Sequence, residues 1–383
     1  MALLTKKIST LLLYFLFLSC LLPIGFFLYK HPAHNWDMLG YMAIVTRMDG
    51  VKDISEVHRI TYKKAKENIP AQDYKQLVDS PGPRAKLAAD PLLFERLLPI
   101  YIIKPLYTLS VYFFYKAGLN LPAATTAPSL VAFFLIGLLV FHWVKKYLKT
   151  AFAFLTSLLI MTSVFMIAVA RLSTPDTLSA FFLLAAFYFI LEKPNMPRLF
   201  LFLILAVFTR ADNVITSFMI ISFLTLGGKW EKRITKQQYF LMILGLAGAY
   251  SIIMFQARQF GWGFAYYPEY IKHMNFGRDF NAPFSLSEYF SYMFSKAVTG
   301  LISSQFTFFM FLAALILFQP FTSRLRSFSF DQMLVLLLAS IMAIRFLLLP
   351  DLSDRFYISF YLVILFILIR KIKNYLNIAR LDK

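Results

Sequence analysis

Cysteine is nearly absent from this chain. The single one, Cys20, falls inside an apolar stretch, so neither a disulfide framework nor a cysteine-based metal site can be assembled. Acidic residues are also scarce, 20 against 39 lysines and arginines. Charged residues of both signs make up only 15% of the 383, too few for the surface of a soluble domain. No glycine-rich phosphate loop, GxSxG, HExxH or HRD-type motif occurs, which removes the common nucleotide-binding, serine-hydrolase, zinc-protease and kinase signatures. Internal repeats and low-complexity tracts are missing too. The formal charge of +19 does not indicate a nucleic-acid partner, because the basic residues are dispersed between apolar segments instead of forming one basic domain.

What the chain does have is apolar surface. Hydrophobic residues make up 59%, with 43 Phe, and the mean hydropathy is +0.64. Apolar runs recur from end to end, many close to the ~20 residues that cross a hydrocarbon core of roughly 30 Å. The expected fold is an all-α, polytopic transmembrane bundle forming one membrane domain, 1–383. Candidate spans are 8–29, 125–143, 151–170, 177–192, 198–209, 214–227, 238–256, 298–318, 331–349 and 356–369, about ten in all. The first run follows Lys6 and Lys7 but is longer than a signal-peptide core and has no small-x-small site after it, so it is expected to be a retained span. Residues 30–124 form a large first loop with amphipathic cap helices, and 257–297 form a second.

Segment 97–116 (LLPIYIIKPLYTLSVYFFYK) decides the topology. Pro99, Lys104 and Pro105 make it a poor span and a better interfacial helix. If it does not span, one side holds Lys6, Lys7, Lys145, Lys146, Lys149, Lys229, Lys232, Arg233, Arg324, Arg326, Arg370 and Lys371, among others. The short loops opposite hold only Arg171, Arg210 and Arg355, with Arg345 inside a span. The positive-inside rule then places both termini in the cytoplasm of a cell (inner or plasma) membrane, with both long loops outside.

With that sidedness, carboxylates and guanidinium groups gather at the outer face. They are Asp37 in HNWDMLGY, Glu95 and Arg96 in LLFERLLP, Arg171 and Asp176 in RLSTPD, Arg210 and Asp212 in FTRADN, and Asp351, Asp354 and Arg355 in PDLSDRFY. Paired charges at one depth point to a shared polar cavity. An arginine fork suits a phosphate, and a carboxylate beside it can take a proton from an attacking hydroxyl. His31 and His34 flank Asp37 without a clear ligand spacing, so no metal ligand is assigned and a divalent metal is left open.

These same motifs resemble those of GT-C glycosyltransferases that use polyprenyl-phosphate sugars, in the branch of the aminoarabinose and protein-mannosyl transferases. An acidic residue follows the first span at once, at WD37MLGY; a Pro-Asp pair heads the fourth span, at Asp176; and FE95R96LLP is similar to that branch's Phe-Glu-Lys-Pro stretch. The resemblance covers roughly residues 1–230. It implies that Asp37 is the catalytic carboxylate and Asp176 the second acidic group. Arg96, beside Glu95, would match a basic residue near the donor phosphate, and Arg210 one that opens a span. The chain departs from the family in lacking an Asp-x-Asp pair in the first loop, in carrying Arg for Lys at 96, and in ending without a C-terminal outer domain.

The expected activity is inverting transfer of a sugar from a polyprenyl-phosphate donor to a lipid, glycan or protein acceptor at the outer membrane face. Asp37 would be the general base, and Arg96, Arg210 and Arg355, then Arg171, would hold the leaving phosphate. Two rivals remain: an O-antigen-type polymerase or ligase, which would use a diphosphate-linked donor, and a flippase or transporter for a lipid-linked saccharide.

Overall fold

The computed structural model describes residues 2–79, 83–226, 234–257, 285–318 and 329–381. Among them all regular structure is helical, apart from one isolated bridge between Ala33 and Leu172. Four helices are long and apolar enough to cross a membrane: Thr10–Lys30, Leu121–Val144, Lys236–Gln256 and Phe330–Leu348. Three bent helix pairs raise that number to seven if each counts as one span. Leu12, Phe15, Leu159, Val164 and Phe255 lie on the outside of the bundle, as side chains that meet lipid instead of water would.

The helix Asp176–Leu191 is the axis of the packing. It touches Met196–Thr209, Leu121–Val144 and Ile358–Leu381, and it is apolar on every face because every face is covered. Leu183, Leu184, Phe187 and Ile190 sit in the largest core cluster with Phe133, Val140 and Phe360. This helix and its neighbours Met196–Thr209 and Asn213–Leu226 have 16, 14 and 14 residues. At ~1.5 Å per residue they reach only about 21–24 Å, short of a full hydrocarbon core.

Two of the continuous spans expected from the sequence are broken. Segment 151–170 bends by 57° between Thr150–Met161 and Val164–Ala170. There the Ser163 hydroxyl donates to the Ile160 carbonyl, an acceptor that a continuous helix would have used, and the Thr162 hydroxyl adds a second bond to the Leu158 carbonyl. Segment 298–318 is divided between Leu286–Ser303 and Phe306–Leu317, which meet at 82°. The second long loop, expected over 257–297, therefore carries a helix at its C-terminal end, while 258–284 lies outside the described residues.

Segment 97–116 is not one straight helix. Pro91–Ile102 and Pro105–Lys116 meet at 106°, with Lys104 in non-helical backbone (φ −126°, ψ 56°) between them. Pro105 has no N–H to donate and disfavours helical backbone at the residue before it, so the chain turns at Lys104. The neighbouring helices Ile54–Asn68, Ala71–Val78 and Pro83–Ala89 form a cap. Val57, His58, Thr61, Tyr62 and Ala65 are the buried stripe of the first, and the Asp53 carboxylate caps its N-terminus by accepting from the Glu56 N–H at 2.9 Å. Beneath the cap, Asp37–Met48 is buried along nearly its whole length and packs on Ile54–Asn68 and Pro105–Lys116.

Candidate active site

Two turns far apart in sequence are joined by backbone. The Ala33 N–H donates to the Arg171 carbonyl at 2.9 Å, and the Asn35 side chain continues the join. Its Oδ1 accepts from the Ser173 N–H at 3.1 Å, while its Nδ2 donates to Asp37 Oδ2 at 3.1 Å. Asp37 is the first residue of its helix, where the unpaired backbone N–H groups favour a carboxylate. Tyr101 donates its hydroxyl to Asp37 Oδ1 at 3.3 Å. Its ring approaches because residue 40 is glycine, since a Cβ there would lie 2.2 Å from the ring.

Arg355 connects the two acidic motifs. Its Nη1 donates to Asp37 Oδ2 at 3.3 Å, and its Nε lies 4.0 Å from Asp176 Oδ2. Asp176 also accepts from Arg210. Arg210 grips Asp212 with both Nε and Nη2 at 3.0 Å, a bidentate fork. Asp212 accepts in addition from Arg345, whose Nη1 donates to Asn213 Oδ1 at 3.2 Å. Burial works to raise the Asp212 carboxyl, but Arg210 and Arg345 beside it outweigh that and hold it well below the usual carboxylate range. The Arg210 and Arg355 guanidinium groups each lie 4.6 Å from the centre of the Phe356 ring.

Asp37, Asp176, Arg210 and Arg355 line one cavity with Trp36, Tyr101 and Lys104. It has about 100 Å³ of internal space, enough for several waters or for a group the size of phosphate. Lys104 is half-buried in its wall, 5.3 Å from the centre of the Tyr101 ring and 5.7 Å from that of Tyr41, and among the described residues no carboxylate lies within 4.0 Å of its ammonium. The Thr174 hydroxyl, also on the wall, is buried with no partner among the described residues. Among the described residues, Lys104, Arg210, Arg345 and Arg355 stand against Asp37, Asp176 and Asp212, four cations to three anions, a balance that favours an anion.

The other residues singled out in the sequence go elsewhere. Glu95 pairs with Arg47. Arg96 is exposed just past its helix and lines no part of the cavity, although Leu97, Ile100, Tyr101 and Lys104 from the same segment do. Arg171 donates from Nε to the His31 carbonyl. His34 Nδ1 lies 2.7 Å from Asp73 Oδ2, and His31 Nδ1 is 3.0 Å from the Phe27 carbonyl. Among the described residues no three His, Cys, Asp or Glu side chains converge on one point, and guanidinium groups pair with the cavity carboxylates Asp37 and Asp176.

Lys104 and Arg345 were legible as charges within apolar segments, a signal that marks functional positions in membrane proteins. In the sequence Lys104 bears on the topology of segment 97–116 and Arg345 stands inside a span. Asp212 was visible beside Arg210 but had no motif to select it. No family model, curated protein or solved structure matches the chain.

Proposed function

We propose that the protein is a membrane-bound glycosyltransferase of the GT-C type, which transfers a sugar from a polyprenyl-phosphate donor to an acceptor hydroxyl and inverts the anomeric centre. The observation that carries this reading is one cavity that joins a carboxylate held by Arg355 (Asp37) to a cation with no carboxylate partner among the described residues (Lys104). Asp37 accepts the proton of the acceptor hydroxyl as that oxygen bonds to the anomeric carbon. The bond from that carbon to the phosphate oxygen breaks, and polyprenyl phosphate leaves with the electron pair, met by the Lys104 ammonium and the Arg355 guanidinium. Arg210 and Arg345 hold Asp176 and Asp212 in place from behind. In this reading Arg345 belongs to the site's own charge network, not to a mid-membrane transport path.

The direct test incubates the purified protein with polyprenyl-monophosphate and polyprenyl-diphosphate sugars and measures the free lipid phosphate released. Release from monophosphate donors is expected. Release from diphosphate-linked oligosaccharides alone would replace this reading with the polymerase or ligase, and release from neither would end both.

Lys104 gives a sharper expectation. Lys104→Met should weaken polyprenyl-phosphate binding by roughly tenfold to a hundredfold, the worth of one charge-assisted contact, and Lys104→Arg should restore most of it. Equal lipid-phosphate affinity in wild type and Lys104→Met would remove the ammonium from the site.

The proposed topology puts both termini and the lysine-rich loops in the cytoplasm and the cavity outside. In a Cys20→Ser background, Lys149→Cys should be labelled by an impermeant maleimide only after the membrane is opened, and Lys64→Cys in intact cells. The reverse pattern at either position would put the cavity on the cytoplasmic side.

A further inference from the structure

Beyond Arg355 lies a second, larger cavity of about 510 Å³, within the roughly 300–1,000 Å³ typical of small-molecule sites. It is a groove between the helix Leu286–Ser303 and the turn 350–355, and Arg355 is the residue that lines both cavities. The helix presents two different faces. At about 100° per residue, Leu286, Phe290, Phe294, Val298 and Ile302 wind along one side, all exposed. Lys296, Thr299 and Ser303 fall on the opposite side and line the groove. A helix divided in this way is suited to lie along a membrane surface with its apolar side in lipid, an orientation that would open the groove at the level of lipid headgroups.

The polar atoms of the groove are arranged for a neutral, hydroxyl-rich ligand. Asp354 Oδ1 accepts from the Gln305 N–H at 2.8 Å and the Tyr361 hydroxyl at 3.2 Å, while its Oδ2 has no partner among the described residues. Asp351 Oδ1 is likewise taken, by the Ser353 N–H at 2.8 Å, with Oδ2 left over. Both carboxylates can therefore accept from sugar hydroxyls. The Thr299 and Ser303 hydroxyls donate back to helix carbonyls at 2.9 and 2.8 Å, which leaves their oxygens as acceptors, whereas the Ser304 oxygen accepts from the Phe306 N–H at 3.3 Å. Lys296 sits over the Tyr292 ring at 5.4 Å and supplies donors. Among the described residues two carboxylates line the groove with Lys296, and Arg355 is shared with the inner cavity, where it pairs with Asp37, so the groove has no cationic surplus to attract an anion.

We infer that this groove binds the neutral hexose headgroup of a membrane-anchored acceptor. Its role as acceptor site rests on the transferase reading above, whereas its capacity for sugar does not. A headgroup in the groove that touches Arg355 is one side chain away from Asp37, whose Oδ2 lies 3.3 Å from Arg355 Nη1.

The test uses the full chain in lipid nanodiscs and saturation-transfer NMR with maltose, cellobiose and methyl β-galactoside as probes, and methyl phosphate as an anionic comparison. Saturation should reach the sugar ring protons in the wild type and fall by roughly tenfold in Thr299→Trp, which fills the groove from an exposed position. Lys296→Met is a second variant with the same expected direction. No transfer to any of the three sugars, undiminished transfer in both variants, or displacement of the sugars by methyl phosphate would overturn the inference. A signal lost in Lys104→Met but kept in Thr299→Trp would move the sugar to the inner cavity and also overturn it. Donor turnover measured on the same wild-type sample separates the two readings: sugar binding without lipid-phosphate release ends the transferase and keeps the groove, and release without sugar binding does the reverse.

Discussion

Asp37→Asn is expected to lower turnover by roughly 10²- to 10⁴-fold, the usual contribution of a positioned general base, while the protein still folds and binds donor. The amide has the shape of the carboxylate and still accepts the Tyr101 hydroxyl, but it cannot take a proton. Arg355 loses its partner at 3.3 Å and becomes more available to the lipid phosphate, so donor affinity should hold or rise. Steady-state kinetics alongside direct donor binding separate these effects. Asp176→Asn is the control: its carboxylate is buried against Arg210 with Arg355 at 4.0 Å, so its loss should disturb donor binding and stability as well as turnover. Near-normal turnover in Asp37→Asn with a donor that the wild type consumes would disprove the catalytic assignment.

The second large effect is on stability. Arg210→Ala should cost about 3–5 kcal/mol, because it leaves two buried carboxylates, Asp176 and Asp212, without the guanidinium that bridges them. The expected readout is a marked fall in the thermal unfolding midpoint in detergent or nanodiscs. Arg210→Met combined with Asp212→Asn should recover part of it, since the charge is then removed along with its counter-ion. From the sequence Arg210 was expected to hold the donor phosphate. Its fork is spent on Asp212 and its remaining nitrogen on Asp176, so a structural role is the stronger expectation. An unchanged midpoint with lost donor affinity would restore the phosphate-binding role.

Much of the architecture was legible because lipid and helix impose simple rules. Apolar length marks a span, so the helices at 2–30, 121–144, 236–256 and 330–348 lie near the positions expected of them. Breaks were harder to foresee. Thr162 and Ser163 carry no charge and no proline, yet their hydroxyls let the helix turn there, and the 82° corner after Ser303 falls inside what hydropathy treats as one run. Hydropathy sums over a window, whereas a bend is decided by which few carbonyls find a hydroxyl or a neighbouring element.

For the cavity the division is similar. Residue types and their order already mark Asp37, Asp176, Arg210 and Arg355 as polar groups at the ends of apolar segments, and Lys104 as an ionisable residue where a bilayer tolerates few. Which of them meet depends on how the helices pack. Arg96 is a neighbour of Glu95 in sequence but points away from the cavity, whereas Lys104, eight residues later, lines it because the chain turns by 106° at Pro105. Arg355 reaches Asp37 across 318 positions, and Arg345 reaches Asp212 across 133. The physical reason is that a charge in an apolar surrounding must find a counter-charge, so folding selects the pairings; proximity along the chain supplies candidates but not partners.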